Sequence, residues 1–369
     1  MSEEMRRDHL SMGTSFKTTK KIYLECLRVI SLFGVIYCHT DKRGLLLYEV
    51  TADPAAYYFS KIMLLFSQIC VPVFFMISGS LLLGRQEDLK KNFKHRVLKY
   101  IVILCVVVFL QYGYNCLGNP ALCLWYPELK TQYPGNAFSL WELFRGIYSG
   151  GALTQHWFLY AYLSFLLILP FFQKMVQGLS RDYLWYLLFL CLLCHAAFPF
   201  VERWQHFPES TMEFPFMTHI IFYPLLGYFL DREVIFTKGR VVVAVLAVAL
   251  FWTIFNVVLM ENNKELFLEL NIFLFAAALF IAVKYLFGKI TCPEGLQRFY
   301  LFCGKGVFGT YLLEYLLRNF CEPIYRTVIG LGEIPALFVW IFCVMALGIL
   351  LTNGFYKIKK GLAFHNKKY

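Results

Sequence analysis

Long apolar runs recur along the whole chain, each close to the length of a bilayer crossing and each closed by a short polar, basic or aromatic connector. A helix needs about 20 apolar residues to span hydrocarbon, with a range of ~17–25. That ruler predicts about ten transmembrane helices, at 22–40, 59–83, 100–117, 155–173, 183–199, 215–230, 240–259, 267–286, 306–325 and 334–355. Two are weak patterns: 183–199 ends at Pro199, and 215–230 is short and carries Pro215 and Pro224. The expected fold class is an all-α integral membrane protein, a polytopic bundle of about ten transmembrane helices.

The placement of basic residues orients this bundle. With the N-terminus in the cytoplasm, the inside segments hold 25 of the 35 Lys and Arg and the outside segments only eight. Positive charge is retained on the cytoplasmic side, so both termini are expected there, as an even number of crossings requires. The organisation that follows is a cytoplasmic tail at 1–21, a transmembrane domain at 22–355 and a basic cytoplasmic tail at 356–369. The first tail is polar and basic and the run after it is span length, so no cleaved signal peptide is expected. The longest connector, 118–154, is rich in Pro, Trp and Tyr and reads as an extracytoplasmic cap.

Composition narrows the classes. The chain is 59% hydrophobic and 16% charged, far from the roughly 45–50% and 25% of a soluble domain. Its net charge of +11 would point to nucleic acid in a soluble protein; here topology accounts for it, and no nucleic-acid partner is expected. Most of the 12 cysteines sit in apolar runs and read as small hydrophobes. Cys191 and Cys194, with His195 beside them, have metal-like spacing but no second pair, so a lipid-buried helix face is favoured and no metal is expected.

Charge inside a bilayer costs ~2.5–3.5 kcal/mol per Arg, Lys or Asp at a helix centre, which makes intramembrane ionisable residues the candidates for function. The first helix holds Glu25, Arg28 and His39, and the ninth holds Glu314 and Arg318. At 100° per residue, Arg28 and His39 fall within about 20° of one another, and all three residues of the first helix lie in a sector of about 60°. Arg28 and His39 are then roughly 16 Å apart along the axis. The stripe reads either as a functional line facing the bundle interior, or as a structural ion pair with an interfacial histidine. Before the third helix, a basic cluster from Arg85 to Lys99 can hold phosphates or simply fix topology; Arg96 and Lys99 are the members placed to reach inward.

The segment "LECLRVISLFGVIYCHT" resembles the opening of the membrane-bound acyltransferase family 3, with Glu25, Arg28 and His39 in the positions of its acidic, Arg and His signature. The match continues in order through Phe74, Phe75, Ser78 and Gly79 of "PVFFMISGSLLLGR". It then runs through "FKHRVLKY", where Lys99 replaces the second Arg of the family's Arg-x-x-Arg, through His156 and Trp157 of "QHWFLYAY", and through "PLLGYFL". A departure is Glu314, where many relatives have His; it reads as a replacement proton acceptor or, preferably, as the i+4 partner of Arg318. The resemblance is to the short, single-domain polysaccharide O-acetyltransferases.

That resemblance implies transfer of an acyl group, usually acetyl, from acyl-CoA to a hydroxyl of an extracytoplasmic glycan or lipid-linked sugar at the inner (plasma) membrane. No tightly bound cofactor is implied, acetyl-CoA being a substrate. Arg96, Lys99 and Arg28 would hold the nucleotide end of the donor, while His39 would act as general base, imidazole being able to exchange a proton near neutral pH. An acyl-His intermediate is the variant mechanism. Glu25 would orient Arg28, and Ser78, His156, Trp157 and Glu314 would contribute to the substrate site. The competing class is a transporter or flippase for a glycan or lipid-linked intermediate, which would also have many spans and buried charges but would need no acyl-CoA.

Overall fold

The computed structural model describes residues 21–86, 88–149, 157–194, 198–199, 201, 219–261 and 268–365, and every regular element among them is helical. Among the described residues, thirteen helices have seven or more residues. They are α1 (Ile22–Cys38), α2 (Pro54–Gln68), α3 (Cys70–Leu82), α4 (Leu98–Cys116), α5 (Leu140–Ser149), α6 (Trp157–Gly178) and α7 (Arg181–Leu192), then α8 (His219–Arg232), α9 (Gly239–Glu261), α10 (Leu268–Lys289), α11 (Glu294–Phe320), α12 (Glu322–Val328) and α13 (Glu333–His365).

Among the described residues, six helical segments are long and apolar enough to cross a membrane: Pro54–Leu82, Leu89–Cys116, Trp157–Gly178, Gly239–Val258, Glu269–Lys289 and Glu333–Lys359. The other four expected spans are helical where described, but each departs from a plain apolar crossing. α1 has 17 residues, α7 has 12 and α8 has 14, while α11 is long but carries Glu294, Arg298, Lys305, Glu314 and Arg318. The 118–154 connector contains a short helix, Pro120–Trp125, and the amphipathic α5, whose Leu143 and Gly146 are buried while Trp141, Phe144 and Tyr148 are exposed. Cys191 and Cys194 are buried free thiols, and His195 lies outside the described residues.

The Pro54–Leu82 segment reads as one run in the sequence yet is broken at Ile69 into α2 and α3. Pro72 explains the break: it has no N–H to return to the carbonyl of Gln68, and its ring crowds that carbonyl. At the start of α2, Asp53 accepts from the amides of Ala55 and Ala56 at 3.2 and 3.1 Å, and Pro54 occupies the first turn.

α3 and α8 cross at close backbone approach. A Cβ on Gly79 would lie 1.9 Å from the Pro224 carbonyl oxygen, and one on Gly227 would lie 2.1 Å from that of Met76. Two small residues, one on each helix, therefore let the backbones touch, as apolar solvent favours. The Ser-Gly and Pro-Leu-Leu-Gly-Tyr stretches of the sequence are the two sides of this crossing.

Hydrocarbon leaves no water to satisfy loose carbonyls, and side chains from neighbouring helices take that role. Asn92 donates to the Leu166 carbonyl at 3.0 Å, the group that Pro170 leaves without its helical donor. Gln173 donates to Leu82 at 2.8 Å, Gln177 to Leu83 at 2.9 Å, and Lys284 to the carbonyls of Leu230 and Asp231 at 2.8 and 2.6 Å. The Asp231 carboxylate accepts from Ser80 at 2.7 Å and also from Lys21 and Tyr23. This polar cluster ties α1, α3, α8 and α10 together at one end of the bundle, opposite the end that carries His39.

Candidate functional site

His39 caps the C-terminal end of α1, its amide bonded to the carbonyls of Ile36 and Tyr37. On α11, Tyr311, Glu314 and Arg318 follow at helical spacings of three and four and share one face. That face meets His39. Glu314 Oε1 lies 3.3 Å from His39 Nδ1, close but not aligned as a hydrogen bond, and the Glu314 side chain is 1% exposed. Arg318 pairs with the same carboxylate and donates through Nη1 to the main-chain carbonyl of His39 at 2.7 Å. The carboxylate beside Nδ1 favours a proton on that nitrogen and so directs the Nε2 lone pair outward, the tautomer a general base requires.

A second pair lies further along α1. Arg28 Nη1 donates to Glu25 Oε1 at 2.7 Å. The other carboxylate oxygen lies against α11 at Gly304, where a Cβ would stand 2.0 Å from it.

Two cavities occupy the bundle between these points. The first, of about 410 Å³, is lined by Arg28, Lys305, Ser78 and the aromatic side chains of Tyr100, Tyr162 and Phe308. The second, of about 250 Å³, is lined by His39, Ser67, Gln68, Trp157, His219 and Glu269. They share a wall: Val35, Val71, Phe158 and Tyr311 line both. The rings of Phe158 and Tyr311 meet edge to face there, with centroids 5.7 Å apart. A cationic chamber and a histidine chamber are thus separated by one layer of side chains.

The residues singled out in the sequence fall into three groups. Arg28 and Ser78 line the first chamber, Ser78 donating to the Phe74 carbonyl at 2.9 Å, with the Tyr162 hydroxyl 3.4 Å from its oxygen. His39 and Trp157 line the second, while Glu25 and Glu314 stand behind Arg28 and His39 respectively. Arg96 is half-buried in a π-helical turn, Phe93–Val97, and Lys99 is exposed; neither lines a chamber. His156 lies outside the described residues.

The cation that accompanies Arg28 in the first chamber is Lys305, 5.0 Å from the ring centre of Tyr356. Sequence reading missed it because it sits among the basic residues assigned to a cytoplasmic connector. It also missed His219 and Glu269, although both fall within the predicted spans 215–230 and 267–286. The rule that selected Glu25 and His39, that ionisable groups at membrane depth mark function, selects these two as well.

The geometry defines a multi-pass membrane protein whose bundle holds a histidine–carboxylate pair beside two adjoining chambers. A family model for an acyltransferase domain matches residues 21–353, nearly the whole chain, and the protein belongs to acyltransferase family 3. Membership in that family implies acyltransferase activity. No curated protein and no solved structure matches the chain.

Proposed function

We propose that this protein is an O-acyltransferase that moves an acyl group, acetyl in the first instance, from cytosolic acyl-CoA to a hydroxyl of a cell-surface polysaccharide or lipid-linked sugar. In this reading the chain crosses the inner (plasma) membrane about ten times. Both termini are cytoplasmic, and the Asp231 end of the bundle faces the cytosol. The observation that carries it is the shared wall: the chamber holding Arg28 and Lys305 and the chamber holding His39 meet at Val35, Val71, Phe158 and Tyr311.

The donor enters the Arg28 chamber. Phosphates of the CoA nucleotide need cations, which Arg28 and Lys305 supply within the chamber and Arg96 and Lys99 supply at its approach. The pantetheine arm, at roughly 15–20 Å by its bond count, is long enough to carry the thioester to the wall. Arg28 and His39 are separated by a similar distance along α1, roughly 16 Å.

The acceptor hydroxyl meets the thioester from the His39 side. Its oxygen attacks the carbonyl carbon, the new C–O bond forms and the C–S bond breaks. The hydroxyl proton passes to His39 Nε2 and from there to the departing CoA thiolate. Positioned proton transfer of this kind contributes about 10²–10⁴-fold in rate. Glu314 stabilises the imidazolium that forms in between.

Acetyl-CoA added to the purified protein should raise its thermal stability and, with a glycan acceptor, release free thiol. His39→Ala should keep the donor-dependent stabilisation and lose the transfer. Turnover at the wild-type rate in that variant would overturn the assignment.

A further inference from the structure

α1 and α11 run side by side, and their contacts form a ladder through the bundle. Far from His39, α11 meets α1 at Gly304, where a Cβ would stand 2.0 Å from Glu25 Oε2. Lys305 follows Gly304 and lines the first chamber together with Arg28. Val35 and Tyr311 stand further along, in the wall the chambers share, and beyond them His39 meets Glu314. The spacings agree. Arg28 and Val35 are seven residues apart on α1, roughly 10 Å along the axis, and Lys305 and Tyr311 are six apart on α11, roughly 9 Å. The two cations therefore stand at one level of the chamber and the wall at another.

Rings line the stretch between those levels. Tyr100 packs on Tyr162 and on Phe308 with ring centroids 5.2 and 5.8 Å apart, and all three line the chamber. Such a lining suits an uncharged chain and puts any anion of the ligand at the cations. The Lys305 ammonium lies 5.0 Å from the centre of the Tyr356 ring, a contact that steadies the cation and leaves N–H donors for an oxygen anion. Arg28 gives one nitrogen to Glu25 and has further N–H donors to offer.

An acylated pantetheine arm has the complementary outline, with a phosphate at one end, an uncharged chain of roughly 15–20 Å, and the thioester at the other. With the phosphate at the level of Lys305, the ring-lined stretch takes up about 10 Å of the chain. The remainder carries the thioester through the wall toward His39. Whatever follows the phosphate in the donor lies on the side of the cations away from the wall.

We propose that Lys305 and Arg28 anchor the inner phosphate of the donor, and that the chamber reads the donor no further than that phosphate. The recognised unit is an acylated 4′-phosphopantetheine, with adenosine and its 3′-phosphate outside. The assignment rests on the acyl-transfer reading above and narrows its donor. Arg96 and Lys99, which line neither chamber, then draw the charged donor to the mouth rather than hold it.

The test compares three ligands on the purified full-length protein: acetyl-CoA, S-acetyl-4′-phosphopantetheine and S-acetylpantetheine. Apparent affinity is read from ligand-dependent thermal stabilisation. S-acetyl-4′-phosphopantetheine should bind within about fivefold of acetyl-CoA, and S-acetylpantetheine at least about tenfold more weakly than either, the usual weight of a charge-assisted hydrogen bond. Lys305→Met keeps a long side chain and removes the charge. In this variant the preference for S-acetyl-4′-phosphopantetheine over S-acetylpantetheine should shrink about fivefold or more. That preference is a ratio within one protein, so a partly folded preparation does not change it. Acetyl-CoA bound much more than fivefold better than S-acetyl-4′-phosphopantetheine would overturn the proposal, because the nucleoside would then be read as well. S-acetylpantetheine bound as tightly as its phosphorylated form, or an unchanged preference in Lys305→Met, would also overturn it. Stabilisation by none of the three ligands would instead overturn the acyl-transfer reading, and the anchor with it.

Discussion

Arg318 donates to the main-chain carbonyl of His39 at 2.7 Å. Its guanidinium thereby satisfies a carbonyl at the end of α1 and, through its pairing with Glu314, ties that end to α11. The bond fixes the backbone of His39 rather than its ring, so Arg318 is a positioning residue. Arg318→Gln should lower kcat by up to about 10²-fold, the cost of a misplacement near 1 Å, and leave the KM for acyl-CoA close to wild type. Steady-state kinetics at varied donor concentration check this split; a rise in donor KM with unchanged kcat would contradict it.

Glu314 has a different task, since its carboxylate faces the ring nitrogen itself. Glu314→Gln preserves shape while removing the charge that, in the proposed mechanism, stabilises the imidazolium. Its kcat should fall by at least about tenfold and by no more than the ~10²–10⁴-fold that general-base catalysis contributes. Donor-dependent thermal stabilisation should be retained. Near-normal kcat would show that the carboxylate is only a structural partner of Arg318.

The wall between the chambers should tolerate loss of bulk poorly and gain of bulk not at all. Val35 and Val71 each contribute a small side chain to it. Val35→Trp should block passage of the thioester, abolishing transfer while donor binding through Arg28 and Lys305 persists, as a thermal-shift titration with acetyl-CoA would register. Phe158→Ala should open the layer and raise the hydrolysis of acetyl-CoA in the absence of acceptor, measured as thiol release.

The crossing of α3 and α8 sets the positions of Ser78 and His219. Gly79→Ala places a methyl 1.9 Å from the Pro224 carbonyl oxygen, and backbone on both sides cannot yield cheaply. Overpacking of this kind costs typically ~1–3 kcal/mol, so the variant should unfold at lower temperature in detergent. An unchanged midpoint would mean that the helices separate without consequence.

Much of this arrangement is legible in the chain because the membrane makes charge conspicuous. Glu25, Arg28 and His39 stand out within one apolar run, and helical geometry alone predicts their common face. The family signature at Phe74, Phe75, Ser78 and Gly79 likewise marks a real structural event, the contact with Pro224.

What the pattern could not give was the partner of each group across the bundle. Glu314 and Arg318 are spaced for an i+4 pair, and nothing local to α11 announces that His39 completes the set. The break at Ile69 was hidden for a similar reason: Pro72 sits in a run apolar enough to read as a single span, and only the tertiary structure reveals that Gln68 is freed to line a chamber. The plain apolar ruler also lost resolution at α1, α8 and α11, which are shorter or more highly charged than a plain crossing.

Sidedness is the most direct measurement of the account. The protein, reconstituted in one orientation in sealed vesicles, would receive acetyl-CoA at the face carrying Asp231 and a membrane-impermeant neutral glycoside at the face carrying His39. Acetylated glycoside and free CoA are expected on opposite sides of the bilayer. Acetylation that occurs only when both substrates share one face would contradict it.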